Sequence, residues 1–230
     1  MRGALKLAGA VVLAVCLPLL AFSSSGLALA FDPGYYSRGQ VEQRVEQIYG
    51  LSQSLLAPAN RAIVRYFESP DGQLADFFVT NGVPRDFFGE RETVHMQDVR
   101  VLVRLIGDIR GLSLAASLLV VALMALMLRR QAVGAVGRGL LAGAILSIAI
   151  VLVVGVGTLI DFGSVFLLFH LMSFSNEFWM LDPRTDHLIQ MFPFGFWYSA
   201  MVTLVMSSLL TVGTGGVVGA AMVRLARRLE

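Results

Sequence analysis

Four stretches of this sequence, residues 5–29, 112–128, 139–160 and 194–223, are long, apolar and, apart from Lys6, free of charged side chains. Roughly 20 such residues cross the hydrocarbon core of a bilayer, and there every backbone N–H and C=O must be bonded within the segment, so the runs are expected as helices. Composition agrees: 56% of the 230 residues are hydrophobic, only 15% are charged, and the mean hydropathy is +0.72. That is too apolar for a water-soluble domain of this size. The expected fold is a mainly α membrane protein, with four transmembrane helices, a small extracytoplasmic α+β domain and an interfacial or re-entrant segment.

The first run follows Arg2 and Lys6 and contains Pro18. It reads as a retained first transmembrane helix over 1–30. A cleaved signal segment ending at the small-residue triplet Ala28, Leu29, Ala30 stays open, as does a lipobox over 13–16 that ends at Cys16. The second span is 112–129, stopped by Arg129 and Arg130. A cytoplasmic loop over 130–138 leads to the third span, 139–160, closed by Asp161. The fourth, 194–223, opens on Phe194, Phe196, Trp197 and Tyr198 as an interfacial aromatic girdle and is followed by a tail over 224–230. With four crossings, Arg2 and Lys6, then Arg129, Arg130 and Arg138, then Arg224, Arg227 and Arg228 all fall on one side. The positive-inside rule makes that side cytoplasmic. A fifth crossing through 162–181 would move the last three arginines outside, so residues 161–193 are expected to lie on, or dip into, the outer leaflet. Gly139, Gly143, Gly155, Gly157, Gly213, Gly215, Gly216 and Gly219 are expected to let helices approach closely in lipid.

Residues 31–111 form the only sizeable hydrophilic segment, expected outside the cytoplasm. Val41, Val45, Ile48, Leu51, Leu55 and Leu56 follow helical spacing, with Pro58 expected to end or bend the helix. Residues 77–80 and 87–94 flank Asn81-Gly82, a dipeptide favoured in tight turns, which predicts a small irregular hairpin. Next, Glu92, His95 and Asp98 recur every three residues, which puts them along one side of a helix leading to the second span.

The stretch over 166–193, FLLFHLMSFSNEFWMLDPRTDHLIQMFP, is nearly as apolar as a span yet carries His170, Asn176, Glu177 and Asp182. A polar group in hydrocarbon costs several kcal/mol without a partner, so each is a functional candidate. Of the three histidines, His95 and His170 sit where hydrophilic segments meet spans, each with polar companions. His187, in the polar step Arg184 to His187, is expected in plain solvent contact. Asp182-Pro183 reads equally as a turn.

Several classes are excluded or disfavoured. Basic residues are dispersed at the flanks of apolar runs, so there is no nucleic-acid reader. Cys16 is the single cysteine and Lys6 the single lysine, which rules out a disulfide framework within the chain, a Walker lysine on a phosphate loop and a Schiff-base lysine. No ATP use and no cofactor is expected. The span interiors carry no acid or base, unlike most ion pathways.

The stretch GERETVHMQDVRVLV resembles an E-(two or three residues)-HM-x-DV signature. FHLMSFSNEFWMLDPRTDHLIQMFPFGFW resembles a signature of FH, N, W, LDP, D-LI and P. Both belong to the four-span family of lipoprotein intramolecular transacylases, and the likeness covers nearly the whole chain in order. It implies transfer of the sn-2 acyl chain from the diacylglyceryl group of a lipoprotein's N-terminal cysteine to that cysteine's own α-amine. The family's two essential histidines match His95 and His170, with Glu92, Asp98, Asn176, Trp179 and Asp182 as supporting residues. The implied partners are diacylated bacterial lipoproteins and membrane lipid, in a bacterial cell membrane.

Elementary chemistry is compatible with this. An α-amine with a pKa of about 8 is mostly protonated at neutral pH and needs a base of the histidine type to become a nucleophile. The tetrahedral oxyanion needs fixed donors, for which Asn176 and nearby backbone N–H groups are candidates. The departing glyceryl oxygen needs a proton, which a second histidine can give. The neighbouring Phe and Met side chains would cradle acyl chains. Two other classes compete: a metal-dependent membrane protein using Glu92, His95, Asp98 and His170, and a non-catalytic assembly or sensor protein.

Overall fold

The computed structural model describes residues 2–229; Met1 and Glu230, at the ends of the expected first span and tail, lie outside the described residues. The described chain contains nine helices: α1 (Arg2–Ala30), α2 (Pro33–Glu42), α3 (Val45–Tyr49), α4 (Gln53–Glu68), α5 (Leu74–Thr80), α6 (Glu90–Leu128), α7 (Arg130–Ser173), α8 (His187–Met191) and α9 (Phe194–Leu229). Among the described residues there is no strand, and α1, α6, α7 and α9 are each long and apolar enough to cross a membrane. The chain divides into two compact units.

One unit comprises Met1–Gly26, Ile106–Leu159 and Thr203–Glu230. Lipid tails are as apolar as leucine, so helices here associate by close packing rather than by escape from water. Small residues supply it. A Cβ on Gly137 would lie 2.7 Å from the carbonyl oxygen of Gly219, so α7 and α9 touch backbone to backbone. Likewise a Cβ on Gly139 would meet the Ala10 backbone at 3.0 Å, and one on Gly143 the Ala14 carbonyl at 3.1 Å, which brings α7 onto α1. Leu13, Met124, Leu128, Ala132, Ala135 and Val136 form a buried cluster, while Leu118, Leu126, Val153, Leu210 and Val217 point outward, the surface expected against lipid. Not every expected glycine takes part: Gly155 and Gly213 face open space. Residues 130–138, expected as a loop, are the first turns of α7, because a single residue, Arg129 at φ 54, makes the reversal from α6.

The other unit comprises Leu27–Leu105 and Ile160–Val202. It is helical where a hairpin was expected. Residues 77–80 belong to α5, and Asn81-Gly82 ends that helix, with Gly82 at φ 77 and the Val83 N–H bonded to the Phe78 carbonyl at 2.9 Å. A left-handed glycine serves a helix stop as well as a hairpin turn, which is why the dipeptide misled. Pro58 does not end α4; the buried face running from Leu56 to Phe67 carries the helix past it. Interruptions come instead at Arg44 and Gly50, both left-handed. The α2 and α4 helices are joined by a reciprocal amide pair: Gln40 Nε2 donates to Asn60 Oδ1 at 3.0 Å and Asn60 Nδ2 to Gln40 Oε1 at 2.8 Å, both residues fully buried.

Two local features place the later residues. The α7 helix is broken at Asp161 (φ −154, ψ 88), whose carboxylate accepts the N–H of Ser164, so 162–173 starts as a newly capped helix. At the start of α6, Glu92 reaches back to the N–H of Gly89 at 2.6 Å, half of a capping box.

Candidate active site

The α6 helix carries His95 and the helix over 162–173 carries His170, and within their shared unit the two rings face each other with centroids 6.1 Å apart and planes tilted by 33°. Both residues are more than nine-tenths buried. His170 Nδ1 donates to the Phe166 carbonyl, one turn back, at 2.8 Å, which leaves Nε2 as the atom with the lone pair. His95 Nδ1 is buried and makes no hydrogen bond.

Aromatic rings enclose the pair. Phe166, Phe169, Phe174 and Trp179 lie 4.3, 5.2, 5.6 and 4.9 Å from the His170 centroid, and Phe174 also packs edge-on to His95 at 5.0 Å. On the same helix Leu167, Leu168, Phe169, Leu171 and Met172 are exposed while His170 is buried. This inverts the order of a soluble helix, and sequence alone hinted at it only through the excess of Phe and Met.

His95 lies ahead of the apolar run 112–128. Burial, reinforced by the facing His170, pushes its pKa down to about 4, against a smaller upward pull from Asp98. The imidazole is therefore neutral at physiological pH, with a ring nitrogen free to accept a proton.

The supporting residues fall into separate roles. Glu92 is buried, and its carboxylate accepts two backbone N–H groups, from Gly89 and, at 2.6 Å through Oε1, from Leu188. It joins α6 to the start of α8 rather than turning to His95. Burial raises its pKa, partly opposed by those two N–H groups. Asn176 has its amide engaged at both ends, Nδ2 donating to Asp98 Oδ2 at 2.9 Å and Oδ1 accepting the Phe178 N–H at 3.0 Å. Asp182 belongs to a turn: its carboxylate pairs with Arg184 at 2.7 Å, which holds it down at about 2. His187 departs from the expected solvent contact, stacking on Phe87 at 4.6 Å and donating from Nδ1 to the Phe87 carbonyl at 2.6 Å. Arg91, which sequence reading passed over, donates to the Met180 carbonyl at 2.8 Å.

Of the four residues considered as metal ligands, His95 and His170 face each other, whereas Glu92 is taken up by backbone N–H groups and Asp98 accepts from Asn176; among the described residues no three His, Cys, Asp or Glu are grouped to hold a metal ion. What the arrangement offers is two neutral-capable imidazoles buried side by side among aromatic rings, suited to moving protons at an apolar substrate.

Comparison with known proteins gives one consistent direction. The family model described as lipoprotein intramolecular transacylase Lit matches residues 11–197. No curated protein sequence matches. Among solved structures, the membrane integral lipoprotein intramolecular transacylase Lit from Bacillus cereus is similar with a TM-score of 0.83 at 19% identity, over 98% of this chain and 99% of that one. A variant of the Bacillus cereus protein with one histidine changed to arginine is similar with a TM-score of 0.78 at 18% identity, over 100% and 96% of the two chains. A histidine-to-alanine variant gives 0.77 at 18% identity, over 99% and 97%.

Proposed function

Because the chain belongs to the lipoprotein intramolecular transacylase family, and is thus a membrane acyltransferase acting on lipoproteins, we propose that His95 and His170 move the protons of its reaction. The reaction is transfer of the sn-2 acyl chain of a diacylglyceryl-cysteine lipoprotein to the cysteine's own α-amine. The amine nitrogen attacks the ester carbonyl and the C–N bond forms. One imidazole takes the proton that nitrogen loses, and the collapsing intermediate expels the glyceryl oxygen, which receives a proton from an imidazole. The products are an amide and a free glyceryl hydroxyl, so protons balance without ATP.

The observation that carries this reading is the facing of the two buried rings at 6.1 Å between centroids. Rings at that separation are direct neighbours, so one reacting group laid beside both could exchange protons with each. Amine and ester arrive tethered in one molecule, so proximity is supplied by the substrate and the protein's share is orientation and proton traffic. The exposed apolar side chains beside His170 would receive acyl chains.

Orientation follows from the arginines. With both termini and the Arg129–Arg130 turn cytoplasmic, the segments holding His95 and His170 lie at the outer face of the cell membrane, with 161–193 interfacial. This corresponds to spans over 1–30, 112–129, 139–160 and 194–223 flanking an extracytoplasmic 31–111. Reading the chain as a non-catalytic assembly or sensor protein fits its family poorly.

The test is mass spectrometry of a reporter lipoprotein from cells expressing the protein, read for acyl position. The N-acylated lyso form is expected. A reporter that stays entirely diacylglyceryl while the protein is made and inserted would end the proposal.

A further inference from the structure

Arg91, His95 and Asp98 are spaced i, i+4 and i+7 on α6, so they share one helix face. The loop that follows α7 is fastened to that face on both sides of His95. On one side Arg91 Nη1 donates to the Met180 carbonyl at 2.8 Å. On the other, Asn176 Nδ2 donates to Asp98 Oδ2 at 2.9 Å, while Asn176 Oδ1 holds the Phe178 N–H at 3.0 Å. Residues 176–180 therefore cross the His95 face as a strap. Trp179 lies between the fastenings, with its ring 4.9 Å from that of His170.

We propose that Asn176 and Arg91 are positioning residues: by fixing the two ends of the strap they hold Trp179 against His170, and so hold the His170 ring toward His95. The inference rests on the two imidazoles working as a pair. The bond from His170 Nδ1 to the Phe166 carbonyl fixes one edge of the ring, and the indole face limits tilting about that edge. The strap has turn bonds of its own, Met180 N–H to the Glu177 carbonyl at 3.1 Å and Leu181 N–H to the Trp179 carbonyl at 3.0 Å, so it moves as a piece. Loosening either end is then felt at Trp179.

The test uses fluorescence as well as activity. The chain has two tryptophans, and Trp197→Phe leaves Trp179 alone. An imidazolium quenches an indole it touches, so emission of the full-length protein in detergent should fall on acidification, and His170→Ala should abolish that fall. Asn176→Ala and Arg91→Ala should each lose most of the quench and slow acyl transfer on a diacylated reporter lipoprotein about ten-fold, as a misplaced catalytic group does. The double variant should be no slower than the worse single one, because both act through one strap. Arg91→Lys, which keeps a donor, should recover part of both readouts. Single variants that keep the full quench, or losses that multiply in the double variant, would overturn the assignment. Should Asn176→Ala fail to fold, Arg91→Ala, at an exposed position, decides the matter alone. If the parent transfers no acyl chain, the functional reading falls while the quench still decides the strap.

Discussion

Glu92 and Leu188, far apart in the chain, are joined by a 2.6 Å hydrogen bond from the Leu188 N–H to a carboxylate that is 3% exposed. The other oxygen of the same carboxylate caps α6 through Gly89. A buried carboxylate with two backbone donors is a strong fixture, and removing it leaves both N–H groups unpaired. Glu92→Ala should therefore cost about 2–4 kcal/mol of stability, and Glu92→Gln less, since its single amide oxygen still accepts one donor. Thermal unfolding in detergent checks this. Equal Tm values for parent and Glu92→Ala would show that the joint carries no load.

For the histidines the prediction concerns rate. His95→Ala and His170→Ala each remove a proton carrier, and general acid–base groups contribute about 10²–10⁴-fold in rate. Reporter acyl transfer should fall by that order in either variant. Thermal stability should fall less in His95→Ala, whose Nδ1 gives up no hydrogen bond, than in His170→Ala, which loses the bond to the Phe166 carbonyl. Retained activity in both variants would remove the imidazoles from the mechanism.

Acid should weaken the fold through His95. Its pKa is about 4 in the folded protein against an ordinary value of 6.5, so as pH falls the unfolded chain takes up the proton first. Above about 6.5 the group is neutral in both states and makes no pH-dependent contribution; between that value and about 4 the folded state loses ground steadily. The Tm of His95→Gln relative to parent should consequently rise on going from about pH 7 to about pH 5. Superimposable Tm-against-pH curves for the two proteins would show that His95 titrates normally.

How far these features were legible in the sequence depends on what each one rests on. The four apolar runs are a property of composition along the chain, and α1, α6, α7 and α9 follow them. Pairing of His95 with His170 was legible only through resemblance, since nothing in local spacing joins residues on different helices. The three-residue spacing of Glu92 and His95 puts both on one helix side, but Gly89-Glu90-Arg91-Glu92 equally encodes a helix start with a carboxylate at its third position, which is the role Glu92 takes. Asn81-Gly82 likewise satisfied two turn chemistries, and the packing of Phe78 against Phe87 and Phe88 favours the helical one. Arg91 went unnoticed because its partner is a main-chain carbonyl, which side-chain identity cannot announce.

The amide pair of Gln40 and Asn60 allows a double-variant test. Each amide is fully buried and each satisfies the other, with Asn60 also donating to Ser37 at 3.1 Å. Changing one partner strands the other's polar atoms, a loss of about 1–3 kcal/mol, whereas changing both to apolar residues removes the stranded atoms as well. Gln40→Leu and Asn60→Leu should each lower Tm clearly, and the double variant should lose less than their sum. Strict additivity would mean that water reaches the pair.

Glycines in the spans separate by what faces them. A methyl at Gly137 would press on the Gly219 carbonyl oxygen at 2.7 Å, a backbone atom that cannot swing aside, so α7 and α9 would have to part. Overpacking of this kind costs about 1–3 kcal/mol. At Gly155 a methyl meets nothing within 4 Å, and the same change improves helix propensity by up to about 1 kcal/mol in an aqueous helix. Gly137→Ala should thus lower the Tm in detergent while Gly155→Ala leaves it level or raises it. If the two variants unfold together, close approach of α7 to α9 is not what holds this end of the bundle.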